Sequence, residues 1–413
     1  MKQPSAAVND YDLGSHTWAV TTRSGNAQAW FDRGLNWIYG FNFEAAAGCF
    51  ERALDEDPSC VMAYWGLAYA VGCNYNKEWR MFSSSMIAKA MSRAREVLDE
   101  ARDYLHEVTD LERRLVLALD KRFQARGGHS QAVLAAWNVE FAEAMREVYL
   151  DYPEHVDVVA LFADALLMQT PWKLWDFSTG EPDHGASTLE ALDVLERAFE
   201  QIELRGARQH PGLIHTYIHT VEMSPQPERG LRVAEQLGEL VPDAGHLQHM
   251  SSHIHLLCGA YHDAIVANDR AIAVDAKYVA RDGEANEYTH YRAHNIHVKA
   301  YAAMMLGQYR TALQAAAQMQ ALITPEILRV EHPPLAYFLE ALVSVKLHVL
   351  IRFGRWRGIL EEPFPADARL YCFTTAMLHY ARGIAHATLG HFDEAARECP
   401  CSPAPPATRA QPC

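Results

Sequence analysis

Apolar residues along most of this chain recur every three or four positions, the spacing of amphipathic helices. There is no sustained alternation of apolar and polar residues bounded by turn pairs, so no strand is predicted. Segment 26–58 predicts two helices joined by a turn. Its small residues Gly34, Ala46 and Ala53 let the two helices approach closely. Trp30 and Phe50 fill the space between neighbouring pairs, and Pro58 stops the second helix. Ala63, Tyr64, Trp65, Gly66, Leu67 and Ala68 repeat the same small-plus-aromatic texture. Segments 85–123 and 131–149 predict longer amphipathic helices. Segment 168–185, with Pro171, Trp172, Trp175, Pro182 and Gly185, predicts a long loop.

A fixed period then emerges. Segments 211–244 and 245–278 are consecutive units of 34 residues. The second contains the turn Gly259-Ala260-Tyr261-His262-Asp263-Ala264, which recurs as Gly307-Gln308-Tyr309-Arg310-Thr311-Ala312 and as Gly390-His391-Phe392-Asp393-Glu394-Ala395. Another helical pair is expected near 334–357. Period, small residues and terminal proline together resemble the tetratricopeptide repeat. The resemblance implies an all-α fold: an α-solenoid of TPR-like helix pairs curved around a His-rich concave groove. The expected organisation is an N-terminal segment 1–25, a repeat domain 26–398 with clear repeats at 26–58, 211–244, 245–278 and 293–326, and a disordered Pro/Ala-rich tail at 399–413.

Composition narrows the function. The 413 residues carry a formal charge of −15 and show no basic stripe, so nucleic acid is not an expected partner. No run of 18 apolar residues and no basic amphipathic helix point to a membrane. The first residues lack a secretory pattern, and a cytoplasmic protein is expected. The eight cysteines are scattered without a CxxC pair and read as buried thiols. What stands out is 21 histidines.

Their placement is periodic. His215, His219 and Glu222 share one helical face, as do His246, His249 and His253, and as do His290, His294 and His297. An i, i+4 pair of histidines lets two imidazoles reach one metal ion. His215 and His249 are one repeat apart, as are His219 and His253, so these pairs should occupy equivalent places on neighbouring helices roughly 10 Å apart. All nine residues are expected as metal ligands, or in part as groups orienting them. His16, His106, His129, His262, His379, His386 and His391 fall outside the register and read as structural. His155, His184, His332 and His348 stay unassigned. His210-Pro211-Gly212 reads as a helix start.

Imidazole-rich, thiolate-free ligand sets suit a divalent transition metal, with copper or iron favoured and zinc as an option. No HExxH motif, GxSxG elbow, phosphate loop or dinucleotide fingerprint is present. The stretches Pro171-Trp172-Lys173-Leu174-Trp175, His210 to His219, Ala244 to His255 and His294-Asn295-Ile296-His297 resemble a His-rich group of bacterial and fungal tetratricopeptide-repeat proteins of unassigned activity. That resemblance implies the repeat fold and supplies no reaction. The leading expectation is a metal-dependent oxidoreductase acting on a small organic substrate in the groove, with Tyr217 or Tyr291 in proton transfer and the Trp172/Trp175 loop as a lid. The alternatives are an interaction scaffold binding a protein or peptide in the groove, and a zinc-dependent hydrolase.

Overall fold

The computed structural model describes residues 11–284, 286–329 and 333–398. Among them the regular structure is helical, with isolated bridges only between Asn74 and Lys77 and between Trp175 and Pro182. The chain divides into two compact units. Unit 1 comprises Met1–Ala260 and Arg270–Gly283, and unit 2 comprises Tyr261–Asp269 and Glu284–Cys413. The expected tail, residues 399–413, and His332 lie outside the described residues.

Unit 1 holds α1 (Gly25–Tyr39), α2 (Phe43–Glu56), α3 (Val61–Ala70), α4 (Ser84–Ala101), α5 (Asp110–Leu119), α6 (Gln131–Asp151), α7 (Val156–Leu167), α8 (Thr188–Leu204), α9 (Pro211–Val221), α10 (Leu231–Leu240) and α11 (Gly245–Leu257). The division between units falls within α12 (Tyr261–Asp282), after Asp269. Unit 2 continues with α13 (Thr289–Met305), α14 (Tyr309–Leu322), α15 (Pro325–Leu328), α16 (Pro333–Val343), α17 (Val345–Arg352), α18 (Trp356–Glu361), α19 (Cys372–Thr388) and α20 (Phe392–Glu398). Sequence neighbours pack on one another: α1 on α2, α2 on α3, α6 on α7, α10 on α11, α13 on α14 and α19 on α20. The all-α, helix-pair architecture expected from the sequence is the one the chain adopts.

The turns follow from single residues. Gly259, Gly307 and Gly390, which open the three recurring turn motifs, have φ of +76°, +77° and +82°. This left-handed backbone just past a helix end favours glycine because it lacks a Cβ. No described helix is long and apolar enough to cross a membrane. Of the described cysteines Cys49, Cys60 and Cys73 are buried as expected, whereas Cys258 is exposed and Cys372 half-buried.

Helices α9 and α11 of unit 1 carry five of the candidate histidines. Helix α9 packs against α1, α7, α8, α10 and α11, and nearly every one of its residues is buried. It begins at Pro211, where a missing N–H costs nothing, and the His210 side chain caps it by accepting from the Leu213 N–H at 3.1 Å. Segment 11–24, within the expected N-terminal segment, is fastened to the helices. Leu13 and Trp18 are buried, the Trp18 N–H donates to Asp32, and His16 reaches Asp157 on α7. Unit 2 gathers Leu347, Leu350, Ile359, Leu378, Ala381 and Ala385 into a core of its own.

One tight joint in unit 1 is Phe50. A Cβ added to Gly34 on α1 would lie 2.6 Å from its ring, and one added to Gly66 on α3 would lie 2.4 Å from it. Phe50 therefore sets the spacing of three helices through two glycines. Gly66→Ala is expected to lower stability by about 1–3 kcal/mol through overpacking. In urea unfolding the loss should shrink when Phe50→Leu is also present, and additive losses would contradict the joint.

Candidate metal centre

Five histidines of unit 1 meet between α9 and α11. His215 and His219 stand one turn apart on α9, and His246, His249 and His253 follow one another on α11. Their rings form a closed circuit. Centroid separations are 4.9 Å for His215 and His219, 5.8 Å for His219 and His253, and 4.7 Å for His253 and His249. They are 5.8 Å for His249 and His246 and 5.0 Å for His246 and His215. The 34-residue register brings the two helices together at these positions, and the i, i+4 spacing aims each pair the same way.

Hydrogen bonds decide which nitrogen each ring presents. His215 donates from Nδ1 to the Tyr39 carbonyl at 2.6 Å, and His219 donates from Nδ1 to Glu222 Oε1 at 2.7 Å. Both acceptors lack a proton, so each proton sits on Nδ1 and each Nε2 carries a lone pair. Those two Nε2 atoms are buried and have no hydrogen-bond partner. Burial pulls the His215, His219 and His246 imidazoles below their usual pKa, which favours the neutral form that binds a cation. One nitrogen each from His215, His219 and His246 lies within 4.8 Å of the others. Metal–nitrogen bonds of about 2.0–2.1 Å require ligand atoms roughly 3.0–3.4 Å apart, a modest side-chain adjustment away.

Glu222, immediately after α9, holds the group together. Its other carboxylate oxygen accepts from His253 Nδ1, so one buried carboxylate orients an imidazole on each helix. Burial alone would raise its pKa, but the His253 and His219 imidazoles outweigh that and hold it well below the usual carboxylate range. A carboxylate behind a histidine fixes its tautomer and raises its basicity as a ligand.

The walls are aromatic. The Phe41 ring stacks parallel to His219 at 5.9 Å and lies 4.3 Å from His215 and 5.6 Å from His246. Tyr75 lies 4.7 Å from His219 and 4.9 Å from Trp172, whose own ring is 6.0 Å from His219. Phe41 and Trp172 are the two non-glycine residues with positive φ in the described backbone, at +54° and +61°. Two separate loops therefore adopt costly backbone to set an aromatic ring on the same imidazole. Trp175 fastens the second loop by donating to the Thr220 carbonyl at 2.8 Å. Asn76 Nδ2 lies 3.3 Å from His246 Nε2.

The other sequence-predicted residues lie on α9 and on α13. The structure turns Tyr217, a candidate for proton transfer, away from the histidines. Its hydroxyl donates to Glu196 at 2.9 Å and its ring packs on Phe199, because two residues along a helix is more than half a turn. His290, His294 and His297 lie on α13 in unit 2. There His290 donates from Nδ1 to the Glu287 carbonyl at 2.6 Å, and its ring is 3.9 Å from that of Tyr291, the other proton-transfer candidate. Sequence reasoning missed Phe41, Tyr75 and Asn76. Nothing in their local sequence marks them, because they come from turns far from the repeat register.

A second cluster looks similar in composition and differs in chemistry. Buried Asp157 accepts from His16 Nε2 at 2.8 Å, His210 Nε2 at 3.0 Å and the Tyr39 hydroxyl at 2.7 Å. The His210 Nδ1 already accepts the Leu213 N–H, so its proton must sit on Nε2, the atom facing the carboxylate. A metal there would have to displace that proton and break the helix cap. This cluster is a structural node, and His16 keeps the structural role expected of it.

No protein-family model matches the chain, and no curated protein matches it. Among solved structures it is similar to the APC/C hetero-tetramer Cut9–Hcn1 at 14% identity and a TM-score of 0.26, over 96% of this chain and 77% of that one. It is also similar to the TPR domain of P58(IPK) at 13% identity and a TM-score of 0.21, over 91% of each chain. At these values neither likeness bears on function, and the His-rich group resembled in sequence gains no support from them. The helical fold rests on the chain's own packing.

The Asp157 node carries a prediction. Asp157→Ala leaves two buried donors, Tyr39 and His210, and the half-buried His16 without their acceptor and is expected to cost about 3–5 kcal/mol. Burial would raise this carboxyl, but the neighbouring His210 and His16 hold it far below its ordinary value. Its contribution is therefore full above the unfolded value of about 3.9 and is lost as pH falls below it. Urea unfolding should show the wild-type advantage over the variant narrowing below about pH 4. A gap independent of pH would argue against an ionised Asp157.

Proposed function

We propose that this chain is a metal-binding repeat protein. In this reading His215, His219 and His246 hold a divalent transition metal in unit 1, and Glu222 orients His219 from behind. The observation that carries it is the pair of buried, unpartnered Nε2 atoms on His215 and His219, each bared because Nδ1 is committed to a fixed acceptor. Keeping a buried polar atom unbonded costs about 1–3 kcal/mol, and a metal would recover it. The donor set of imidazoles without thiolate suits copper or iron, and also zinc.

Oxidoreductase chemistry is the finer reading of that site. Copper or iron would supply electron transfer or dioxygen chemistry. Phe41, Tyr75 and Trp172 would exclude water and hold a small organic substrate beside His219. Bound zinc without redox activity would instead favour the hydrolase alternative.

The repeat architecture by itself favours the scaffold alternative over redox catalysis. Unit 2 supports it further. Tyr337, Phe373 and Tyr380 are exposed there, and a cavity of about 470 Å³ is lined by Arg329, Lys346, Glu362, Phe364 and Tyr371. A peptide held in that cavity would leave the histidines of unit 1 to a metal of structural role.

Elemental analysis and an absorption spectrum of protein reconstituted with copper, iron or zinc test the metal reading. Stoichiometric metal is expected in the wild type and in the exposed-site control His106→Ala, and its loss is expected in His215→Ala and His219→Ala with helical content retained. No stoichiometric metal in the wild type sinks the reading. A stable protein partner whose capture is unaffected by the His215 and His219 changes would establish the scaffold role instead.

A further inference from the structure

The ring of five imidazoles offers more donors than the trio uses. His249 and His253 remain, and their geometry is not that of bystanders. They stand at i, i+4 on α11 with their Nε2 atoms tip to tip at 2.7 Å. The far nitrogen of each is tied down: His253 Nδ1 donates to Glu222, and His249 Nδ1 lies 3.2 Å from Ser252 Oγ. Both rings thus direct Nε2 to one point with the opposite edge fixed, the arrangement that orients histidine ligands.

We propose that His249 and His253 form a second metal subsite beside the trio, so that unit 1 carries a two-ion centre. The proposal rests on the metal reading above and adds nuclearity to it. Without metal, His253 Nε2 accepts from His249 Nε2–H, since the His253 proton sits on Nδ1. An ion taking that place requires the His249 proton to move from Nε2 to Nδ1, where the Ser252 oxygen 3.2 Å away can accept it, and bonds of about 2.0–2.1 Å need the two nitrogens to part from 2.7 Å to roughly 3.0–3.4 Å. Small rotations about the side-chain torsions supply this.

The two subsites are adjacent. Across the boundary, His219 faces His253 and His246 faces His249, each at 5.8 Å between ring centres. That is compatible with ions at the roughly 3.5–4 Å separation of two-metal sites. Glu222 ties the subsites together, since one of its oxygens holds a ligand of the first and the other holds a ligand of the second. The subsites also differ in access. His215, His219 and His246 are buried, whereas His253 is half-buried. The trio therefore loads tightly and exchanges slowly, and the pair loads second and more weakly. With a remaining ligand position on each ion, such a centre suits a small molecule bridging both metals.

Titration of the metal-free, full-length protein with Cu²⁺ alone, followed by calorimetry and electron paramagnetic resonance, tests this. The wild type should bind two ions in two steps, with spin coupling reducing the integrated signal below that of two isolated ions. His249→Ala/His253→Ala should bind one ion at wild-type affinity and give the full signal of a single copper. His253→Gln, at the half-buried position, should do the same and guards against misfolding of the double variant. Glu222→Gln should weaken both steps by about 10–100-fold. One ion in the wild type, unchanged in the double variant, overturns the second subsite and leaves the metal reading intact. Two ions retained in the double variant overturn its location. No bound copper, iron or zinc in the wild type overturns the metal reading itself.

Discussion

The geometry of this centre depends on one buried carboxylate. Glu222 sits just past the last turn of α9, where the helix dipole and the loss of water both oppose a negative charge. It stays ionised because His219 and His253 donate to its two oxygens. That pair of bonds does three things together. It fixes two imidazoles in the tautomer that leaves Nε2 as the acceptor. It joins α9 to α11 at the level of the site. It also places a negative charge behind two imidazoles, the position from which a carboxylate orients a histidine and raises its basicity.

The repeat architecture makes such a centre possible. A short helix enclosed by five neighbours offers a dry surface on every side, and α9 is that helix. Its imidazoles are held neutral by burial, and water has little access to compete for their lone pairs. Close packing elsewhere keeps the enclosure rigid. Phe50 sits against two glycines, and Gly212 on α9 accepts the Tyr39 ring where a methyl group would clash. Tyr39 in turn offers its carbonyl to His215 and its hydroxyl to Asp157, so the packing of α1 on α9 positions the His215 ring directly.

The two histidine clusters of unit 1 show why residue type alone does not define a metal site. At Asp157 the imidazole protons point inward at the carboxylate, and the result is a hydrogen-bonded node. Between α9 and α11 the protons of His215 and His219 point outward to a carbonyl and a carboxylate, and the lone pairs face inward. The difference lies in what stands behind each ring. Backbone strain marks the second cluster and not the first, since both positive-φ aromatics lie on His219.

The helix pairs were legible in the sequence because a helix exposes its period in every turn. Three glycine turns and a 34-residue repeat are enough to set the register of His215 against His249 and of His219 against His253. Direction is not legible in the same way. Spacing marks which residues share a face, yet it does not show that Tyr217, two residues from His215 and two from His219, turns its hydroxyl to Glu196. Phe41, Tyr75, Asn76 and the Tyr39 carbonyl reach the site from turns and helix ends with no periodic signal. The sequence alone determined which side chains share a helical face, since that depends on local geometry. Only the tertiary structure decided which nitrogen of His215 and of His219 is bare, since that depends on an acceptor at Nδ1 that local spacing does not reveal.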